Sequence, residues 1–73
     1  MREREREERV LEIMTSMVNK LIEEGPLHLD SMSKSYKESN EMGLCLMAFS
    51  RLEAEGIIVQ KSSGKWKISK RKV

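Results

Sequence analysis

The sequence contains little of what most catalytic and metal sites require. Its 73 residues include one Cys and one His, so no disulfide can form within the chain and no metal site can be built without carboxylates. We expect Cys45 to be a small buried apolar side chain and His28 to lie at the surface. No nucleophile, carboxylate pair or phosphate-cradling motif stands out. The sequence therefore predicts a protein that is not an enzyme and binds no cofactor or metal.

Long apolar segments are also missing. The longest apolar run, residues 42–49, has eight residues including a glycine, whereas a membrane-spanning helix needs about 20. The N-terminus alternates Arg and Glu and resembles neither a signal peptide nor a transit peptide. Together with the single Cys, these features predict an intracellular protein, cytoplasmic or nuclear, without membrane contact.

The basic residues are unevenly distributed along a chain that is long enough for one small domain. Residues 1–24 and 25–55 each carry a net charge of −2, whereas residues 56–73 contain six basic and no acidic side chains. Such a cluster attracts phosphates or acidic partners, although it can also be a solubilising tail. Lys70, Arg71 and Lys72 also fit a short nuclear-import signal. The cluster consists of Lys61, Lys65, Lys67, Lys70, Arg71 and Lys72.

Apolar spacings of three and four predict a first helix over residues 2–24, ended by Gly25 and Pro26. Its charged first two turns, residues 1–8, are expected to be solvated and frayed. The apolar face is predicted to contain Val10, Leu11, Met14, Met17, Val18, Leu21 and Ile22.

Two further helices are predicted downstream. Leu27-His28-Leu29 alternates as a short strand does, and Asp30 is expected to cap a short helix that begins at Ser31. Met32 and Tyr36 would lie on its buried side. A turn at residues 39–40 precedes a third helix over residues 41–55, which Gly56 would close. The inward stripe of the third helix is predicted to be Cys45, Ala48, Phe49 and Leu52.

The remaining segment predicts a β-hairpin. Ile57-Ile58-Val59 is β-branched, Ser62-Ser63-Gly64 is typical of a turn, and Trp66 and Ile68 alternate with lysines. Because successive strand residues point to opposite faces, Trp66 and Ile68 should face the core and the lysines should face solvent.

This order of elements resembles the winged helix-turn-helix superfamily: a mainly α fold with a small β-hairpin, in the order helix, strand, helix, helix, strand, strand. The resemblance covers residues 9–69 and leaves residues 70–73 as a basic tail. Two other arrangements fit the same pattern. They are a three-helix bundle with a disordered tail and a helical dimer built on the first helix.

A more local similarity involves the C-terminal winged helix of origin-recognition and Cdc-six replication initiators. That class has a Cys-Leu pair followed by Leu-Glu-Ala-x-Gly-Ile before the wing. The matching residues here are Cys45, Leu46, Leu52, Glu53, Ala54, Gly56 and Ile57. The similarity implies nucleic-acid binding in replication or transcription regulation, although the ATPase domain of those initiators is absent from these residues.

Trp66-Lys67-Ile68 also resembles the second wing strand of Z-form nucleic-acid-binding winged helices. That family contacts phosphates through an Asn and a Tyr on the third helix and a proline pair in the wing. The matching helical positions here hold Leu46 and Ser50, and the wing contains no proline. These differences argue against recognition of left-handed duplexes.

The third helix lacks the side chains that read base edges in the major groove. Residues 41–49 contain no cation, and Arg51 is the single basic side chain of that helix. We therefore expect weak to moderate, salt-sensitive contact with the DNA or RNA backbone through the six cations of the C-terminal cluster, with Arg51 contacting one phosphate.

The apolar third helix also suggests an alternative function in protein assembly. Leu44, Leu46 and Met47 need a covering layer, because a helix apolar on most of its surface is usually buried on most of it. In one interpretation, the first helix of the same chain supplies this covering layer. In the other, these three residues form an interface with a second copy or a different protein.

Overall fold

The structure is a computed structural model of the chain, and it describes residues 2–69. It is mainly helical with one small antiparallel sheet, as the sequence predicts. The elements are helices α1 (Glu3–Glu24), α2 (Leu29–Glu38) and α3 (Met42–Ala54) and strands β1 (Ile58–Gln60) and β2 (Trp66–Ile68). No helix within residues 2–69 combines the length and the apolar character needed to cross a membrane.

Helix α1 buries a narrower face than its apolar pattern predicts. The buried side chains are Val10, Ile13, Met17 and Leu21. Ile13 was missing from the predicted face, whereas Leu11 and Ile22, which were included, are 50% and 67% exposed. At 3.6 residues per turn, these two lie about a third of a turn away from the buried face. The apolar arc of α1 is therefore wider than the surface that the rest of the chain covers.

The connection between α1 and α2 contains one bridge in place of the predicted strand. Gly25 ends α1 with φ of 82°, and its N–H donates to the Leu21 carbonyl at 2.9 Å. Leu27 then pairs with Trp66 through two reciprocal backbone hydrogen bonds of 3.0 and 2.7 Å. Leu29 already belongs to α2, so within residues 2–69 the segment between α1 and α2 pairs with β2 at Leu27 only.

The predicted capping role of Asp30 is wrong. The N-cap of α2 is His28, in an extended conformation and without a side-chain cap, and Asp30 lies in the first helical turn. The bridge at Leu27 fixes the direction of the chain just before the helix. Leu29, two residues later, already packs against the core. The Asp30 carboxylate still favours this end of the helix dipole. Met32 is buried and Tyr36 packs against the core, as predicted.

Helix α3 agrees closely with the sequence-based expectation. Asn40, with φ of 61°, forms the preceding turn. At the other end Gly56 has φ of 73°, its N–H donates to the Glu53 carbonyl at 3.0 Å, and the Ile57 N–H donates to the Leu52 carbonyl at 2.9 Å. This pair of bonds is a Schellman motif, which Gly adopts without a steric penalty. The predicted stripe of Cys45, Ala48, Phe49 and Leu52 is buried, and burial raises the pKa of the Cys45 thiol.

Two ion pairs connect α1 with α3. Arg9 donates to both carboxylate oxygens of Glu41, at 2.8 Å from Nε and 2.7 Å from Nη2. Arg51 contacts Glu7 in the same bidentate way, with Nη2 to Oε2 at 2.8 Å. Hydrogen bonds from the guanidinium groups lower the pKa values of both carboxyls. The charged start of α1, expected to be frayed, is helical from Glu3 onwards and contacts α3 through Glu7.

The difference between Ile13 and Ile22 provides a direct test of the core. Ile13→Ala should lower the free energy of unfolding by about 2–5 kcal/mol, because Ile13 is fully buried and its removal leaves a cavity. Ile22→Ala, on the same helix, should change it by no more than about 0.5 kcal/mol. Urea unfolding of both variants measures this. Equal losses would contradict the burial of α1 described above.

Candidate nucleic-acid interface

The C-terminal hairpin is regular and tightly closed. Strands β1 and β2 pair Ile58 with Ile68, Val59 with Lys67 and Gln60 with Trp66. The Lys61 N–H donates to the Lys65 carbonyl at 2.7 Å, and Gly64, with φ of 92°, donates back to the Lys61 carbonyl at 2.9 Å. A three-residue loop with a left-handed glycine at its end is a common hairpin connection.

The inner face of the hairpin is fixed to the helical core. Trp66 meets Phe49 edge to face, with ring centroids 4.6 Å apart and an interplanar angle of 84°. Ile58 is buried, and Ile68 packs against the same core. The Leu27 bridge holds the other edge of β2. The predicted orientation of Trp66 and Ile68 is therefore confirmed.

The opposite face of the hairpin presents three lysines, which we call the basic hairpin face: Lys61, Lys65 and Lys67. Lys67 lies in β2 opposite Val59, and Lys61 and Lys65 follow at alternate positions just beyond the strand ends, where the Lys61 N–H to Lys65 carbonyl bond continues the pairing. All three are therefore expected on the same side of the hairpin. Lys61 and Lys65 are exposed beside the turn, whereas Lys67 is half-buried. The stem of Lys67 lines a groove of about 390 Å³ with Ile22, Pro26 and Ile68, among others.

The charges of the basic hairpin face are not neutralised within the described part of the chain. Residues 56–73 contain no Asp or Glu. Among residues 2–69, no salt bridge involves Lys61, Lys65 or Lys67, and the ion pairs present belong to Arg9 and Arg51. The three ammonium groups are therefore available to an anionic partner.

The other cations predicted to contact nucleic acid have different outcomes. Lys70, Arg71 and Lys72 lie outside the described residues. Arg51 lies on α3, but its guanidinium donates to both oxygens of Glu7. A phosphate contact by Arg51 would require this pair to break, so the structure gives no reason to include Arg51 in the basic hairpin face.

The outward side of α3 is apolar and partly uncovered. Leu44 packs against the core of its own chain, whereas Leu46 and Met47 are 43% and 38% exposed. Gly43 and Ser50 are exposed at the same side of the helix. Helix α1 therefore does not cover Leu46 and Met47. This side also offers the Ser50 hydroxyl and, one turn further on, the exposed carboxylate of Glu53, but no cation for contact with base edges or phosphates.

His28 is a neighbour of the basic hairpin face that the sequence did not indicate. His28 lies against the hairpin turn, since a Cβ added to Gly64 would be 3.5 Å from its Cε1 atom. This contact joins residues 36 positions apart, and no local pattern indicates it. Lys34 and Lys37 form a separate pair of exposed cations on α2, and the groove of about 430 Å³ that they line with Asp30, Ser33 and Met42 contains no hairpin residue. Their spacing of three residues predicts that the two lysines are neighbours on one face of a helix.

Comparison of the chain with models of protein families, with curated protein sequences and with solved structures found no match.

Proposed function

We propose that this chain is a winged-helix module that binds nucleic acid through the basic hairpin face. The observation that carries the proposal is the placement of three lysines, without an ion-pair partner among residues 2–69, on the outer side of a hairpin whose inner side is fixed to the core. The Leu27 bridge to Trp66 occupies the position of the predicted first strand, which supports the winged-helix assignment. A role in replication or transcription regulation fits such a module.

Binding of this kind uses the phosphate backbone. Lysine ammonium groups displace counterions condensed on the phosphates, so the affinity falls as salt rises. Three contacts would give a slope of log affinity against log salt of about −2.7, at about 0.9 for each phosphate on a duplex. The apolar outer side of α3 contributes no base-specific contact, which makes the hairpin the main source of affinity.

Charge reversal on the hairpin tests this proposal. Lys61→Glu with Lys65→Glu should weaken binding to nucleic acid at low salt by at least about tenfold, because two attractions become repulsions. Both side chains are exposed and form no ion pair in the described part of the chain, so circular dichroism should show unchanged helix content. Fluorescence anisotropy with labelled DNA or RNA measures the affinity.

The matched control is Lys34→Glu with Lys37→Glu. It changes the net charge by the same amount on exposed residues of α2. We expect a much smaller loss of affinity. Equal losses in the two double variants, or unchanged binding in the hairpin variant, would contradict a site on the hairpin.

A second candidate function is protein assembly through the outward side of α3. It is favoured by the exposure of Leu46 and Met47, two large apolar side chains that residues 2–69 leave partly uncovered. Methionine adapts its shape to a partner surface, and a patch of this kind fits the same patch on a second copy.

Met47→Glu tests the assembly function. If the outward side of α3 holds two copies together, a buried carboxylate should dissociate them into monomers, as seen by sedimentation. Leu11→Glu is the control, because Leu11 is similarly exposed but lies on α1. A Met47→Glu variant that sediments like the unmodified protein would count against assembly through α3.

A further inference from the structure

We infer that the ligand of the basic hairpin face is a nucleic-acid duplex, DNA or RNA, held by its phosphate backbone without base stacking. This inference rests on the proposed nucleic-acid function and makes it more specific. It follows from the location of the aromatic side chains, from the chemistry of the hairpin and from the outward side of α3.

All three aromatic side chains of the protein are used inside the fold. The sequence contains one Phe, one Trp and one Tyr. Phe49 is buried, Trp66 lies on the inner face of the hairpin against Phe49, and Tyr36 packs on the core from α2. Proteins that bind single strands stack successive bases on exposed aromatic rings. None of these three rings lies on the side of the hairpin that carries the lysines, and the single imidazole of His28, beside Gly64, cannot stack successive bases.

An interface made of cations alone favours the ligand with the higher charge density. A duplex carries one negative charge per about 1.7 Å of its axis, and each neutralised phosphate contributes about 0.9 to the salt slope, against about 0.7 on a single strand. The three lysines therefore predict slopes of about −2.7 for a duplex and about −2.1 for a single strand. The duplex gains more from counterion release at each contact.

The rigidity of the hairpin also favours a duplex. Its two strands are held by the turn at Gly64, the Leu27 bridge and the Trp66 ring, so the lysine stems start from fixed positions. A duplex presents phosphates in an equally fixed array, whereas a single strand must lose conformational freedom on binding. The outer side of α3, which is mostly apolar and carries no cation, adds no Arg, Lys, Asn or Gln contact to base edges, so the affinity should not depend on base sequence.

The experiment uses the full chain and four labelled probes. They are a short DNA duplex of mixed sequence, the RNA duplex of the same sequence, and one separated strand of each. Fluorescence anisotropy at several salt concentrations gives the affinities and salt slopes. We expect at least one duplex to bind about fivefold or more tightly than its own strand, with the steeper slope. The two duplex arms distinguish DNA from RNA.

Trp66 provides a second and independent readout, because it is the single tryptophan of the chain and lies behind the lysines. Backbone binding should leave its emission unchanged. Strong quenching by either strand would indicate stacking on the indole and would overturn the inference, as would single strands that bind as tightly as the duplexes.

The double variant Lys61→Glu with Lys65→Glu separates this inference from the proposed function. If single strands bind best and the variant loses that binding, the duplex inference fails while the hairpin remains the site. If no probe binds the unmodified chain, both proposals fail together. A duplex preference that the variant abolishes supports both.

Discussion

The contact between Trp66 and Phe49 is the interaction on which the functional surface depends. A two-stranded hairpin alone is marginally stable in water, and this one has three residues in each strand. The edge-to-face ring contact adds about 0.5–1.5 kcal/mol to the burial of the two rings. It also connects β2 to the centre of α3, while the Leu27 bridge connects β2 to the segment before α2. One face of the hairpin therefore packs on the core, and the other faces solvent.

The chain separates its charges by function. The helical part is net acidic, with −2 in residues 1–24 and −2 in residues 25–55, and two bidentate pairs, Arg9 with Glu41 and Arg51 with Glu7, join α1 to α3 and its N-cap residue. In the hairpin, the lysines have no acidic neighbours in sequence and no ion-pair partners among the described residues. A small overall charge of +2 thus conceals a local positive surface. This separation is the electrostatic basis of the proposed binding.

Local patterns predicted the local structure well. Gly56 closes α3 as expected because its left-handed conformation depends on its own backbone, and the stripe from Cys45 to Leu52 depends on helical spacing alone. The alternation around Trp66 likewise indicated which hairpin face is buried. The predictions failed where distant residues decide the result. Asp30 does not cap α2 because the Leu27 bridge to Trp66 sets the start of that helix.

The core stripe of α1 had a signal in the sequence, because Val10, Ile13, Met17 and Leu21 recur at spacings of three and four, whereas the partner of Arg51 had none. The exposure of Leu11, which is equally apolar, depends on which side of α1 the other described elements cover. Arg51 is separated from Glu7 by 44 residues, so its neutralisation has no sequence signature. The exposure of Leu46 and Met47 is also a tertiary property, since it depends on where α1 crosses α3.

Hydrogen exchange of the Leu27 and Trp66 backbone amides tests the central claim most directly, because these two N–H groups form the bridge that holds the hairpin on the core. If the hairpin is an integral part of the fold, both amides exchange only when the whole domain unfolds, with protection similar to that of the Ala48 and Leu52 amides in α3. Exchange of Leu27 and Trp66 at the rates of an unstructured peptide, while α3 remains protected, would contradict the account.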